Sequence, residues 1–365
     1  MIQQRRLFCP PFCPTPRCKF HVDPTGWRWT RWGSFSRQRA PRRVPRYRCS
    51  QCRRTFSSQT FRSSYWLKRP DLLPVLYEGL NNGSALRQLA RSHRVSPSTL
   101  MGQAARLGRH CLLFHHAQCP PQPPGEPVVI DGFESFEFSQ YYPLHVNVAV
   151  GAESHFLYAF TDAELRRKGR MTAAQKRRRS VLERTYGRPD PKAVETSIAE
   201  LLRLLAPETS SLTIRSDEHR AYPRAFRRVP GVCVAHECTP SRQARTTGNP
   251  LFPVNRLDLL VRHCGANHRR ETIAYSKRRQ ALLERFAVFA VWFNYQKSRS
   301  EKRRDATPAE VLGLWSGRLE TGELLARRLF PSQISLPPSS QRYYDGEVQT
   351  RQIPSGRRHA LQLAR

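Results

Sequence analysis

The sequence predicts a multidomain protein in which a small cysteine-rich metal-binding unit and an all-α unit precede a larger α/β domain. Three observations predict this organisation. Half of the ten cysteines lie within the first 52 residues, apolar residues recur at helical spacing over 71–109, and short apolar strands begin at residue 128. A chain of 365 residues is long enough for two or three such domains.

The chain is strongly basic. It contains 62 Lys and Arg residues against 28 Asp and Glu residues, a formal net charge of +34. A field of this sign favours a polyanionic partner, and arginine suits bidentate contacts with phosphate. The longest apolar run, 286–293, is much shorter than the roughly 20 residues that span a bilayer, and the N-terminus shows no apolar leader. We therefore expect a cytoplasmic, nucleic-acid-binding protein with no membrane partner.

Residues 1–62 are typical of a zinc ribbon. Cys49 and Cys52 form a CxxC pair, whose turn brings two thiolates to one tetrahedral Zn²⁺. The second pair must come from upstream, and we assign it to Cys13 and Cys18. Two alternatives remain open, because Cys9 could replace Cys13 and the nearby imidazole at position 21 could replace one thiolate. Unliganded cysteines are the remaining interpretation.

Residues 63–118 predict a helix-turn-helix domain that binds DNA. A first helix is expected from residue 71, a second over 85–92, and a third from residue 98 to 109 after the cap formed by Ser96 and Pro97. A short helix, a tight turn and a capped third helix are typical of a DNA-reading unit. The side chains expected to contact DNA are Arg87, Arg91, Arg94, Ser98, Thr99, Arg106 and Arg109. A plain helical hairpin is the alternative.

The rest of the chain divides into a linker, a large α/β domain and a tail. Residues 119–127 are rich in proline and predict a stiff linker. Residues 128–330 predict strands and helices in the order β-β-β-α-β-β-α, with a basic interruption over 163–192. Residues 331–365 are rich in Pro, Ser and Arg and are expected to form a basic, loosely ordered tail.

Two predicted strands of this domain end in a carboxylate. Asp131 follows the apolar run 128–130, and Asp217 follows the strand over 212–216. Carboxylates are the ligands that divalent cations such as Mg²⁺ prefer in phosphoryl-transfer sites. The alternative is that both residues simply end strands.

Three sequence blocks carry a resemblance to a known family. Residues 45–56, which contain the CxxC pair, and the helix-turn-helix after them resemble the DNA-binding half of DDE transposases of the insertion-sequence-one type. Residues 254–262 and the stretch 270–276, Arg-Glu-Thr-Ile-Ala-Tyr-Ser, resemble the catalytic helix of these enzymes and its sequel. The resemblance spans roughly residues 9–296, and the stretch 270–276 is its most specific part.

The resemblance implies a ribonuclease-H-like catalytic domain in which Asp131 and Asp217 converge with a third acid. It implies two Mg²⁺ or Mn²⁺ ions, and cleavage and transfer of DNA strands. The implied partners are double-stranded DNA, as terminal inverted repeats and target, and further copies of the chain. A bacterial, nucleoid-associated protein is expected.

One position departs from the family pattern. Counting back from residue 272, the catalytic Glu of the family falls on Asn255, and an amide lacks the anionic charge that a divalent cation favours. Asp258 lies about one helical turn further on, so we assign it as the third acid, with Glu271 as a weaker candidate. Alternatively, Asp258 is a surface partner of Arg262. Two other functions then remain: a non-catalytic DNA-binding regulator, and a decayed transposase that binds without cutting.

Overall fold

The computed structural model describes residues 8–38, 41–120, 122–206, 210–302 and 305–353. The predicted multidomain α/β organisation is confirmed. Within these ranges the buried apolar side chains form two clusters, a small one near the N-terminus and a large one for the remaining helices and strands. No helix in the described ranges has the length and apolar character needed to cross a membrane.

The N-terminal unit is built on a three-stranded antiparallel sheet. Its strands are β1 (Trp29–Ser36), β2 (Arg43–Cys49) and β3 (Thr55–Ser57), in the order β1-β2-β3. β1 is almost entirely exposed, whereas Tyr47 and Phe56 contribute to a small core that also includes cysteines. A core of this size supplies little stabilisation by itself, so such units commonly depend on a bound metal.

Three helices come next, namely α1 (Leu72–Asn81), α2 (Leu86–Ser92) and α3 (Pro97–Gln118). The Ser96 side chain accepts a hydrogen bond from a backbone N–H in the first turn of α3, at 3.3 Å. Pro97 occupies the first helical position, where its missing N–H costs nothing. These contacts give α3 a well-defined beginning.

α3 continues well past residue 109, where the sequence analysis ended it. Its second half is buried, with Cys111 and Leu112 among its core side chains, and it packs along α8 (Arg279–Tyr295). One hydrophobic cluster therefore joins α1, α3 and the central sheet. The predicted division between 63–118 and 128–330 has no counterpart in this packing, because apolar residues recur at helical spacing along the whole of α3.

The central sheet has five strands. Its order is β6-β5-β4-β7-β8; β5 runs antiparallel to both β4 and β6, whereas β7 and β8 run parallel to β4. The strands are β4 (Val128–Phe136), β5 (Pro143–Gly151), β6 (Leu157–Glu164), β7 (Ser211–Ser216) and β8 (Cys233–Cys238). β4 does not end at Asp131 as predicted, because its pairing with β5 continues to Phe136.

Helices cover this sheet and connect its strands. α5 (Ala193–Leu205) packs on β5 and β6, and α7 (Phe252–Cys264) packs on β4 and β5. The connection from β6 to β7 carries α4 (Ala173–Tyr186), within the predicted basic interruption, as well as α5, and α6 (Ala221–Phe226) follows β7. α4 buries only Leu182, so most of its cations face solvent. α6 and α7 bring further side chains toward the ends of β4 and β7.

The predicted loose tail is wrong for residues 331–353. After the short helices α9 (Pro308–Val311) and α10 (Thr321–Ala326), the chain forms α11 (Pro338–Asp345), in which Tyr343 and Tyr344 are buried. The aromatic side chains stabilise this segment, and the Tyr343 hydroxyl donates a hydrogen bond to Asp162 at 2.8 Å. Residues 354–365 of the predicted tail lie outside the described residues.

A buried ion pair connects α3 to α8 and provides the first testable prediction. Arg109 Nη1 lies 2.9 Å from Glu284 Oε1, and these side chains are only 13% and 8% exposed. Glu284→Ala should lower the free energy of unfolding by about 3–5 kcal/mol, because it leaves a buried guanidinium without its counter-charge. Urea denaturation measures this loss.

Glu237→Ala is the matched control. Glu237 pairs with Arg215 at 2.7 Å, but its side chain is 54% exposed. Breaking this pair should cost at most about 1 kcal/mol, because water screens it. Equal losses in the two variants would contradict a structural role for the buried pair.

Candidate functional site

Four cysteines form a compact cluster in the N-terminal unit. The thiol sulfur atoms of Cys13, Cys18, Cys49 and Cys52 all lie within 4.8 Å of one another. Cys13 Sγ is 3.6 Å from Cys52 Sγ, and Cys18 Sγ is 3.9 Å from Cys49 Sγ. The structure thus brings together the two pairs that sequence spacing suggested. It could hold a metal ion there.

The surroundings of these sulfurs favour the thiolate of Cys49 and oppose that of Cys13. Burial opposes ionisation of Cys49, but backbone N–H groups of Cys52 and Gln51 and the Trp27 indole N–H lower its pKa to about 7. The indole nitrogen of Trp27 lies 3.3 Å from Cys49 Sγ. Burial raises the pKa of Cys13, so its thiolate needs a cation to compensate for lost solvation.

The cluster geometry fits a tetrahedral zinc ion. Zn–S bonds of about 2.3 Å place sulfurs roughly 3.8 Å apart in a tetrahedron, close to both cross-pair distances. The alternative ligands do not join the cluster. Cys9 is exposed, and both ring nitrogens of His21 have other partners, the Cys13 carbonyl oxygen at 2.7 Å and Ser332 Oγ at 2.6 Å.

The carboxylates of Asp131 and Asp217 lie side by side because of strand register. β4 pairs with β7 in parallel, with Val129 opposite Arg215. Two residues further along each strand are Asp131 and Asp217, and side chains two residues apart point to the same face of a strand. Asp131 is within β4, whereas Asp217 immediately follows β7 and accepts a hydrogen bond from the backbone N–H of His219 at 2.9 Å.

The third predicted acid, Asp258 on α7, acts electrostatically on the same group. Burial raises the pKa of Asp131 to about 6; the N–H of Gly132 opposes the shift, and the charges of Asp217 and Asp258 add to it. This mutual repulsion would be relieved by a divalent cation, and carboxylates are suitable ligands for Mg²⁺. The three carboxylates are more widely spaced than the cysteine thiols, which alone among the described residues form a ligand group within 4.8 Å.

Asp258 also has a partner on its own helix. Arg262 Nε lies 3.2 Å from Asp258 Oδ1, and the Asp258 side chain is 39% exposed. The same guanidinium reaches the carbonyl oxygens of His268 and Glu134 at 3.3 and 3.4 Å, which connects α7 to β4. Both interpretations of Asp258 therefore remain: an acid near the other two, and half of a helix ion pair.

The two other candidates at this position are less suitable. Asn255 is half-buried on α7, one turn before Asp258, and its side chain carries no charge. Glu271 is exposed in the segment after α7, at a positive φ of 54°. It is not among the charges that act on Asp131.

Sequence reasoning missed Tyr222 of α6. Its side chain is 3% exposed, and its hydroxyl lies close enough to Asp131 for the two side chains to interact electrostatically. Burial raises the pKa of Tyr222 well above its ordinary value, and the charges of Asp131 and Asp217 add to the shift, so the hydroxyl keeps its proton and can donate. The only sequence signal was an aromatic residue in the short segment after Asp217, which did not reveal the contact.

The seven residues expected to bind DNA do not share one surface. Five of them are exposed at the ends of α2 and α3, and we call these the basic helix surface: Arg87, Arg91, Arg94, Ser98 and Thr99. The other two point inward. Arg106 donates a hydrogen bond to the Ser63 carbonyl oxygen at 2.9 Å, and Arg109 forms the buried pair with Glu284. Helical spacing alone could not separate the two faces of α3.

Comparisons with known proteins give little guidance. No family model matches the chain, and no curated protein matches it. Among solved structures, a chain is similar in the cryo-EM structure of a simian T-cell lymphotropic virus intasome in complex with PP2A regulatory subunit B56 gamma. The two share 12% identity over 68% of this chain and 74% of that chain, with a TM-score of 0.25. At that TM-score the similarity supports no inference about function.

Proposed function

We propose that this protein is an insertion-sequence transposase of the DDE type, which binds the ends of its element and catalyses metal-dependent cleavage and transfer of DNA strands. The observation that carries the proposal is the juxtaposition of Asp131 and Asp217 by the parallel register of β4 and β7. The charge of Asp258 also acts on the Asp131 carboxylate. A strongly basic chain with acids gathered in one spot suits a nucleic-acid substrate that needs metal ions.

The topology of the sheet supports this proposal. The sheet has three antiparallel strands continued by two parallel ones, in the order β6-β5-β4-β7-β8. In the ribonuclease-H-like fold that the resemblance implies, the first and fourth strands are neighbours, as β4 and β7 are here. The proposed catalytic domain therefore has the acids on its two central strands and on a following helix.

In the proposed mechanism, Asp131, Asp217 and Asp258 would hold Mg²⁺ or Mn²⁺. Two such ions would supply Lewis-acid activation of a water or 3′-hydroxyl and charge stabilisation at the leaving oxygen of an in-line displacement. Tyr222 lies beside Asp131 and can donate a hydrogen bond to it. The cluster of four cysteines binds Zn²⁺ and stabilises the N-terminal unit, while the basic helix surface binds the terminal inverted repeats as duplex DNA. The protein acts as a homo-oligomer on paired ends in the bacterial nucleoid.

Two observations favour a second function. Asp258 is engaged by Arg262 at 3.2 Å, and an amide occupies position 255 where the related enzymes have Glu. A decayed transposase that binds element ends without cutting them would have these features. Substitutions at these two positions distinguish the two functions.

Asp258→Asn should abolish metal-dependent strand cleavage while leaving DNA binding intact, because it removes an anionic ligand without changing the size of the side chain. Nicking of a duplex that carries the element ends, with Mn²⁺ or Mg²⁺ added, is the measurement. Asn255→Ala is the control and should retain cleavage. Unchanged cleavage by Asp258→Asn would remove Asp258 from the site. An inert parent that Asn255→Glu activates would establish the decayed form.

Purified protein should contain one zinc ion per chain. Cys49→Ser should lose it and unfold the N-terminal unit, because closing the tetrahedral site supplies much of the stability of that unit. His21→Ala should keep the ion, since both ring nitrogens are engaged elsewhere. Elemental analysis measures the metal content. Zinc lost equally from both variants would contradict the four-cysteine assignment.

The basic helix surface should select a sequence from a random duplex library when the full chain is used. Ser98→Ala/Thr99→Ala should broaden the selection, because these hydroxyls can reach base edges. Arg87→Ala/Arg91→Ala should instead reduce the slope of log K against log salt by about 2, one phosphate contact for each arginine. The exposed pair Arg177→Ala/Arg178→Ala on α4 is the matched control. Unchanged sequence selection by the Ser98→Ala/Thr99→Ala variant, together with an unchanged salt slope for the Arg87→Ala/Arg91→Ala variant, would contradict DNA reading by this surface.

A further inference from the structure

A large open cleft lies beside the acids and is lined by several cations. Its volume is about 940 Å³, and its walls come from the segments on either side of α4, the beginning of β5 and the beginning of α6. His219 and Arg220 of its wall follow Asp217 directly in the chain. The cleft therefore begins where the proposed catalytic site ends.

The floor of the cleft includes His145 of β5. Its ring lies so near Gly132 that a Cβ atom there would be 2.2 Å from His145 Cε1. Asp131 directly precedes Gly132 and points to the other face of β4, because successive strand residues alternate. The cleft therefore approaches the acids at the end of β7, where His219 and Arg220 follow Asp217.

The cleft has more available cations than available carboxylates. Its cationic side chains are Arg166, Arg167, Lys168, Arg188, Arg220 and Arg224. Of its four acidic residues, two are neutralised by arginines: Glu164 pairs with Arg279 and Arg351, and Glu195 pairs with Arg228. Arg166 is itself paired with Glu183, but Lys168, Arg188, Arg220 and Arg224 are exposed.

The lining also indicates what kind of contact the cleft makes. It contains no Phe, Tyr or Trp among the described residues, so it offers bases no aromatic platform for stacking. Exposed guanidinium and ammonium groups bind phosphate without reading sequence. A phosphodiester backbone is the polyanion that matches a row of separated cations.

We propose that this cleft, which we call the α4 cleft, binds the DNA backbone without sequence preference and holds the duplex beside the acids. The proposal rests on the proposed transposase function, because it assigns the cleft to the same DNA substrate. The basic helix surface then recognises the element ends, and the α4 cleft retains DNA at the acids. Sequence-neutral binding suits target DNA, whose sequence differs at each insertion.

The test compares two triple variants of the full chain that have the same net charge. Arg188→Ala/Arg220→Ala/Arg224→Ala removes three exposed cations from the α4 cleft. Arg177→Ala/Arg178→Ala/Arg184→Ala removes three exposed cations of α4 that do not line it. Both sets are at the surface, and thermal unfolding of each variant checks that folding is unchanged. Binding to a random-sequence duplex is measured by fluorescence anisotropy over a salt series, with Mg²⁺ and Mn²⁺ omitted from the buffer and no chelator added, so that the N-terminal unit keeps its metal.

The cleft variant should bind at least about tenfold more weakly than the parent at low salt, and the slope of log K against log salt should fall by about 2 to 3. The control should change much less, because its loss of net charge is the same but its cations do not line the cleft. Equal affinities and slopes in the two variants would overturn the proposal.

Omitting Mg²⁺ and Mn²⁺ separates this inference from the proposed function, because no strand can be cut in the binding assay. A cleft that fails this test leaves cleavage by the acids untouched. Conversely, strand cleavage by the Asp131→Asn variant at the rate of the parent would contradict the transposase function. The α4 cleft would still be a DNA-binding site if the cleft variant binds DNA more weakly than the control.

Discussion

The candidate site depends on the parallel register between β4 and β7. Only two residue pairs form this contact, Val128 with Ile214 and Val129 with Arg215, before the strands separate. Beyond these pairs β4 continues its ladder with β5 alone, so no further backbone pairing joins Asp131 to Asp217. A shift of one residue would turn one of the two carboxylates to the other face of the sheet. The positions of α6 and α7 matter only once this register is set.

The electrostatics of the site oppose those of the chain as a whole. The net charge is +34, yet three carboxylates are gathered where burial and mutual repulsion raise the pKa of Asp131. Gathering like charges costs free energy that the folded protein must recover elsewhere. A preformed group of anions attracts small divalent cations, and the cationic surface around it attracts a polyanion. Two-metal chemistry on a nucleic acid requires both to bind next to each other.

Local patterns predicted much of the fold, and long-range packing decided the rest. The succession of strands along the chain and the cap at Ser96 follow from residue patterns that extend over a few positions. The grouping of the four cysteines follows from the known geometry of metal sites. The inward direction of Arg106 and Arg109 could not be predicted in this way, because it depends on α8 and on Ser63. Hydrophobic periodicity shows that a helix has two faces but does not show which neighbour covers each one.

Asp131 shows that this limit of prediction from sequence also applies within the site. Its apolar predecessors predicted a strand, and the carboxylate suggested an end, but pairing with β5 carries β4 on to Phe136. The ordered structure of residues 331–353 was likewise not predicted, because a polar composition predicts solvent exposure. Buried Tyr343 and Tyr344 anchor the segment instead. The contact between Tyr222 and Asp131 required the tertiary structure.

The N-terminal unit includes a side chain from almost the other end of the chain. Phe330 packs against Phe12 and Phe61 in the small core, and Ser332 meets His21. During synthesis on a ribosome the cysteines therefore emerge long before their core is complete. Until the segment that carries Phe330 has emerged, Phe12 and Phe61 lack the aromatic side chain that packs against them in the folded protein. Folding of the N-terminal unit is thereby coupled to synthesis of a segment about 300 residues later.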